Sequence, residues 1–252
     1  MLGQVLPAEA FTFLLIMMRM TPLVMLMPVL GDQSIPARVR SGLAMTLSFI
    51  LFAIHGDKIP PMPAQLFDMF TLMLQELLIG SMLALTARIL LTATHTAGTV
   101  IAFQTGLAAA QSFDPAQGSQ SVIVASFFSL TAITLIVVTD LHHVMIEGFA
   151  HSYIKFPVGE AIPYEDFATI ITRFVADAFA LGFQLAAPFI VYAMIFNISL
   201  GLVARMVQGF QVFFIGLPMN LFMGFVLISL LLGSLMQLFL DRFETHLLSF
   251  LG

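Results

Sequence analysis

The chain contains no cysteine. It therefore has no disulfide, no thiolate nucleophile and no cysteine-ligated metal site. Charge is nearly as scarce: 9 Lys and Arg with 14 Asp and Glu make up 9% of 252 residues, where an average soluble domain carries about 25%. So few charged side chains cannot cover a water-soluble domain of this length, which excludes an ordinary cytosolic enzyme. The nine basic residues form no cluster, so the phosphate-neutralising face that nucleic acid demands is missing. There is no Gly-rich loop followed by Lys to hold a nucleotide, and no Gly-x-Ser-x-Gly elbow to present a nucleophile.

What the chain has is apolar. The hydrophobic set makes up 60% of the residues, with 26 Phe and 17 Met, and the mean hydropathy is +1.03. Counting the 17 glycines takes the apolar share to about two-thirds, against about 45–50% in soluble domains. This is the composition of a polytopic, all-α membrane protein. The amino terminus, Met1 to Glu9, lacks the positive region of a signal peptide, so the first apolar segment is expected to stay in the membrane.

About six long hydrophobic segments follow one another, cut by polar breaks at 31–40, 55–63, 112–120, 140–166 and 205–211. Gly, Pro, Asp and Ser in those breaks are the residues that end helices. Several segments measure poorly as lipid-facing spans. Ser41–Ile54 gives about 21 Å of helix against a hydrocarbon core of about 30 Å. Residues 64–111 exceed one pass and contain Asp68, Glu76 and Arg88, and the first run carries Arg19 and Pro22. Intramembrane charges and broken helices are tolerated where protein or water surrounds them. The segments are thus expected to bend and to pack on partner subunits, with Glu76 paired to a polar group of a partner and a proton-relay role as its alternative. Asp68 and Glu76, about 12 Å apart along a helix, are too distant to share a proton.

The breaks carrying Arg38, Arg40 and Arg205 assign one side to the cytoplasm and both termini to the other. Residues 165–179 are amphipathic, with Arg173 and Asp177 as an i,i+4 pair; such a helix either lies in the interface or extends a spanning helix. Pro36 is read as a first helical position with Ser34 as its N-cap. Arg38 and Arg40 could then hold phospholipid headgroups or a partner carboxylate. A short echo, Leu-x-Leu-x-Ala-Arg at 83–88 and 200–205, reads as chance plus a shared need for Arg at a helix end. The many methionines suit lipid-facing and core positions, or a deformable channel lining.

One constellation has ligand chemistry. Asp140, His143, Glu147 and His151, spaced three, four and four, share a helix face and could offer oxygen and nitrogen to zinc. The order is not the His-Glu-x-x-His of a metalloprotease, and a polar helix face at the outer membrane interface is the favoured reading. Neither a metal nor any cofactor is expected.

Three stretches together carry a family resemblance. Met27-Pro28-Val29-Leu30-Gly31 through Ile35-Pro36-Ala37-Arg38-Val39-Arg40-Ser41-Gly42 resembles the signature after the first helix of the FliR family, the flagellar branch of the FliR/SctT group of type III secretion proteins. Ala97-Gly98, Gln104-Thr105-Gly106-Leu107 and Phe113-Asp114-Pro115 resemble its central motif. Leu200-Gly201-Leu202 with Arg205, Val212-Phe213 and Gly216-Leu217-Pro218 resembles its C-terminal one. Asp140-Leu141-His142-His143 adds a shorter match that accounts for the His pair without metal. Two departures are Thr99, where many relatives carry Glu, and Gln208-Gly209 in place of a Pro-Gln step.

The resemblance implies a single integral-membrane export-gate domain over 1–252. About 1–165 would be a FliP-like part and about 166–252 a FliQ-like helical hairpin. The implied partners are FliP-, FliQ- and FlhB-type subunits, unfolded secreted proteins as cargo, and lipid, in the bacterial inner membrane at the flagellar basal body. The implied role is a channel subunit and not an enzyme. Assembly or helix-end roles then fall to Pro36, Arg38, Arg40, Arg205, Gly216 and Pro218. Within 106–120, Gly106 and the following alanines allow close helix approach, and Ser112, Phe113, Asp114, Pro115 and Gly118 form a polar turn. Inside a pore that turn is a plug with Phe113 as its apolar stopper; otherwise it is a surface turn. Two other classes compete. A gated solute transporter predicts internal repeat symmetry, and only the short echo is present. An intramembrane enzyme predicts convergent catalytic side chains, and none stands at usable spacing.

Overall fold

A computed structural model of the chain describes residues 2–32, 35–108, 123–160, 164–207 and 212–251. They form α1 (Leu2–Leu26), α2 (Ala37–His55), a 3-10 turn (Gly56–Lys58), α3 (Leu66–Gln104), α4 (Ile123–Val138), α5 (Leu141–Lys155), α6 (Tyr164–Met206) and α7 (Val212–Leu251). No strand occurs among the described residues. Among the described residues five helices are long and apolar enough to cross a membrane; α4 and α5, bent by 73° at their junction, make a sixth if taken as one broken span. The chain is an all-α, multi-pass membrane protein.

The apolar runs and the helices differ where charges sit at helix ends. α2 begins at Ala37, not Ser41, because Arg38 and Arg40 join its first turn. With the 3-10 turn its span reaches 22 residues, so the apparent shortness of Ser41–Ile54 came from counting only uncharged residues. Long basic side chains at a helix end keep their charge in water while their stems stay apolar. Pro36 is the N-cap and not the first helical residue; Ser34, expected at that cap, lies outside the described residues. Residues 66–104 are one 39-residue helix, about 58 Å long and about twice the hydrocarbon thickness. The amphipathic 165–179 stretch is the start of α6, so it extends a spanning helix.

Hydroxyls on the apolar lengths of the helices bond back to their own backbone: Thr12 to the Ala8 carbonyl, Ser48 to Ala44, Thr131 to Phe127, Ser199 to Ile195 and Ser229 to Phe225, all at 2.7–3.1 Å. A hydroxyl satisfied this way can face hydrocarbon without an orphaned donor.

The chain forms two compact units. The first comprises Met1–Ile89, Ile136–Val175 and Phe243–Gly252. Its core contains Leu15, Ile16, Leu23, Ala84, Met145 and Phe149, and Phe13 of α1 meets Phe49 and Phe52 of α2 edge to face. The second comprises Leu90–Leu135 and Ala176–Arg242, with Ala97, Ile101, Phe128, Leu185, Phe189 and Phe239 at its centre. Both leave large apolar side chains uncovered, among them Phe49, Ile54 and Phe70 in the first and Phe183, Met194, Phe214 and Phe222 in the second.

Candidate functional site

In the first unit, Arg19 lies within α1 and is fully buried. Its guanidinium takes Glu76 of α3 in a two-pronged pair, Nε to Oε2 at 2.6 Å and Nη2 to Oε1 at 2.8 Å. Nη2 also donates to the Phe156 carbonyl at 2.9 Å and Nη1 to Ser152 Oγ at 3.4 Å. The Tyr153 ring lies 4.1 Å from the guanidinium carbon, within cation–π range. Gly80 makes this possible: a Cβ there would overlap the Arg19 carbonyl and the Pro22 ring. Glu76 therefore pairs within its own chain, which corrects the expectation of a partner's polar group. Asp68, on the same helix, is exposed.

This centre ties α1, α3 and the end of α5 together without a net charge. Taking two ions out of water costs several kcal/mol each, so the pair is stable only because its donors and acceptors are met. His55, at the end of α2, stacks on Tyr153 with ring centroids 5.4 Å apart. Tyr153 Oη and His55 Nδ1 are buried with no hydrogen-bond partner among the described residues. At the neighbouring helix ends, Arg88 of α3 donates to the carbonyl of Leu26, the last residue of α1, at 3.5 Å. Arg88 thus serves the end of another helix, its own continuing to Gln104. Arg40 donates to the Gly31 carbonyl at 3.4 Å, while Arg38 is exposed.

In the second unit the structure brings the central and C-terminal motifs together. α3 ends at Gln104, and Gly106 follows with φ +78°, a left-handed conformation that glycine adopts without steric cost. The Asn220 amide of α7 donates to the Gln104 carbonyl at 3.1 Å, satisfying an acceptor that a helix C-terminus leaves open. A Cβ on Gly106 would stand 3.4 Å from Asn220 Nδ2 and 3.5 Å from Leu217 Cδ1. Gly216 is buried, whereas Pro218 is exposed and lies within α7, past its first turn. Thr99, the departure from Glu, bonds to the His95 carbonyl of its own helix at 2.9 Å. Gly98 packs directly on the backbone of Ala125.

Arg205 is exposed in the last turn of α6. Ser112, Phe113, Asp114, Pro115 and Gly118 lie outside the described residues, as do Gln208 and Gly209. Of the ligand constellation, Asp140 and His143 converge, together with His142; Glu147 and His151 are not in that group. Sequence reasoning missed the Arg19–Glu76 pairing, Tyr153, Ser152 and Asn220. A lone Arg and a lone Glu in separate apolar runs were the available signal for the first.

The family described as bacterial export proteins, family 1, matches residues 10–246. The flagellar biosynthetic protein FliR of Caulobacter vibrioides is 37% identical over 236 residues, 94% of each chain. That of Bacillus subtilis is 31% identical over 219 residues, 86% of this chain and 84% of its own. The Yop proteins translocation protein T of Yersinia pestis is 23% identical over 226 residues, 87% and 85% of the two chains.

Proposed function

The chain belongs to the bacterial export proteins, family 1, and we propose that it is the subunit of a flagellar type III export gate that lines the secretion channel with FliP- and FliQ-type subunits. The observation that carries this reading is the family match from residue 10 to residue 246, together with the similarity to flagellar FliR proteins along nearly the whole chain. In this reading the chain sits in the bacterial inner membrane at the flagellar basal body and touches an FlhB-type subunit. It passes unfolded proteins and performs no catalysis. About 1–165 serve as the FliP-like part and about 166–252 as the FliQ-like hairpin.

The physical features support such a role. α3, α6 and α7 have 39, 43 and 40 residues, each about twice the bilayer core. Their exposed Phe, Ile and Met side chains need cover from lipid or from other subunits. Burying Arg19 and Glu76 against each other leaves the first unit neutral inside, as a membrane-embedded body requires. In this reading residues 112–118, which lie outside the described residues, serve as the plug, with Phe113 closing the resting channel.

The test is affinity purification of the chain from native membranes followed by native mass spectrometry. FliP- and FliQ-type subunits in a stable complex, and loss of flagellar secretion on gene deletion with recovery on complementation, are expected. A monomer that moves small solutes, with secretion intact in its absence, would overturn the reading in favour of a transporter.

A further inference from the structure

We infer that Asp140, His142 and His143, at the junction of α4 and α5, form a binding site for a divalent first-row cation, with zinc as its probe. Each residue offers one ligand atom, and the three atoms all lie within 4.8 Å of one another. Zinc bonds to nitrogen and oxygen of about 2.0–2.2 Å place neighbouring ligands of a tetrahedral shell about 3.3 Å apart. His143 Nδ1 and Asp140 Oδ1 stand 3.4 Å apart, long for a hydrogen bond but close to that ligand edge. Side-chain rotation by His142 brings in the third ligand.

The backbone holds these groups ready. Asp140 has φ +60° and ψ +12° and makes no side-chain cap bond to α5. Its carboxylate is therefore not consumed by the helix end, the usual employment of Asp at that position. His142 and His143 rings lie 4.1 Å apart, and His142 Nδ1 is buried with no hydrogen-bond partner among the described residues. The side chains of Asp140 and His143 are 77% and 70% exposed, so an ion can reach them and water can fill its remaining positions. Two imidazoles and one carboxylate suit zinc, nickel or copper and not calcium or magnesium, which prefer all-oxygen shells. A bound cation would pin the 73° junction by holding Asp140 in its left-handed conformation.

The experiment uses the full chain without a polyhistidine tag, in detergent and freed of metal by a chelator. Added Zn2+ at a hundredfold excess over its dissociation constant should raise the melting temperature by about 5 °C or more. The rise should vanish in His142→Ala/His143→Ala, fall in Asp140→Asn, and persist in Glu147→Gln and in His151→Ala. Cu2+ bound to the parent protein should show coupling to two imidazole nitrogens by electron paramagnetic resonance, a readout independent of whether the double variant folds. No zinc-dependent shift in the parent, a shift that survives the double substitution, or copper without two nitrogens would overturn the site.

Discussion

Arg19 and Glu76, 57 residues apart in sequence, meet edge to edge with both side chains withdrawn from solvent. Each makes the other tolerable, so the pair behaves as one neutral object. Removing one partner strands a charge. Arg19→Met or Glu76→Leu alone should cost about 3–5 kcal/mol, whereas Arg19→Met with Glu76→Leu together should recover most of it. Thermal unfolding of the four proteins in detergent measures the coupling. Additive single effects would show that the two side chains do not act together.

Gly80 and Gly42 give opposite expectations for the same substitution. A Cβ at Gly80 would collide with Arg19 backbone and the Pro22 ring, so Gly80→Ala should destabilise by about 1–3 kcal/mol. Gly42 lies in α2 with nothing within 4 Å of its Cβ position, and Gly42→Ala should be neutral or stabilise by up to about 1 kcal/mol. Comparing the melting temperatures of the two variants checks both.

Asn220 closes the open carbonyl of Gln104. Asn220→Ala should cost about 1–3 kcal/mol by leaving that acceptor unmet. Asn220→Asp, which sets an oxygen against the carbonyl, should cost at least as much. Hydrogen exchange at the end of α3 should rise in both variants. Unchanged exchange would mean that the α3 terminus does not depend on this bond.

Arg205 lies in the last turn of α6, where a positive side chain is favoured by the helix dipole by about 0.3–1 kcal/mol. Arg205→Glu reverses that contribution and puts a negative charge on the exposed tip. Motility and co-purification of partner subunits should both decline. Normal motility with full co-purification would remove the tip from assembly.

The proposed function gives Phe113 the seal of the resting channel. Apolar side chains can close a constriction by dewetting, and Phe113 is the one aromatic residue between Phe103 and Phe127 in the sequence. Deleting 112–118 should make the idle gate leaky to ions and small solutes, with Phe113→Ala milder and both variants still assembling. Membrane conductance, with assembly checked by co-purification, is the measurement. An assembled deletion variant as tight as the parent would take the plug away from this segment.

The amino-acid sequence by itself determined the class of the protein. Scarce charge and roughly 20-residue apolar runs are local properties, and a bilayer reads them locally. The helical character of the apolar segments and the family motifs are therefore legible in the residues alone, whereas the polar break read at 140–166 is for most of its length the helix α5, Leu141–Lys155. Helix bounds are legible to within the charged ends, as Arg38 and Arg40 show by lengthening α2. What only the tertiary structure decided are pairings across long stretches of chain. Nothing near Glu76 in sequence names Arg19, and nothing near Gln104 names Asn220, 116 residues away. Periodicity failed at Asp140 for a related reason. The spacing to His143, Glu147 and His151 assumes one continuous helix, but α5 starts only at Leu141 and Asp140 precedes it in a left-handed turn. One backbone dihedral, set by how the chain bends between α4 and α5, takes Asp140 off that helical face and leaves it beside His142 and His143.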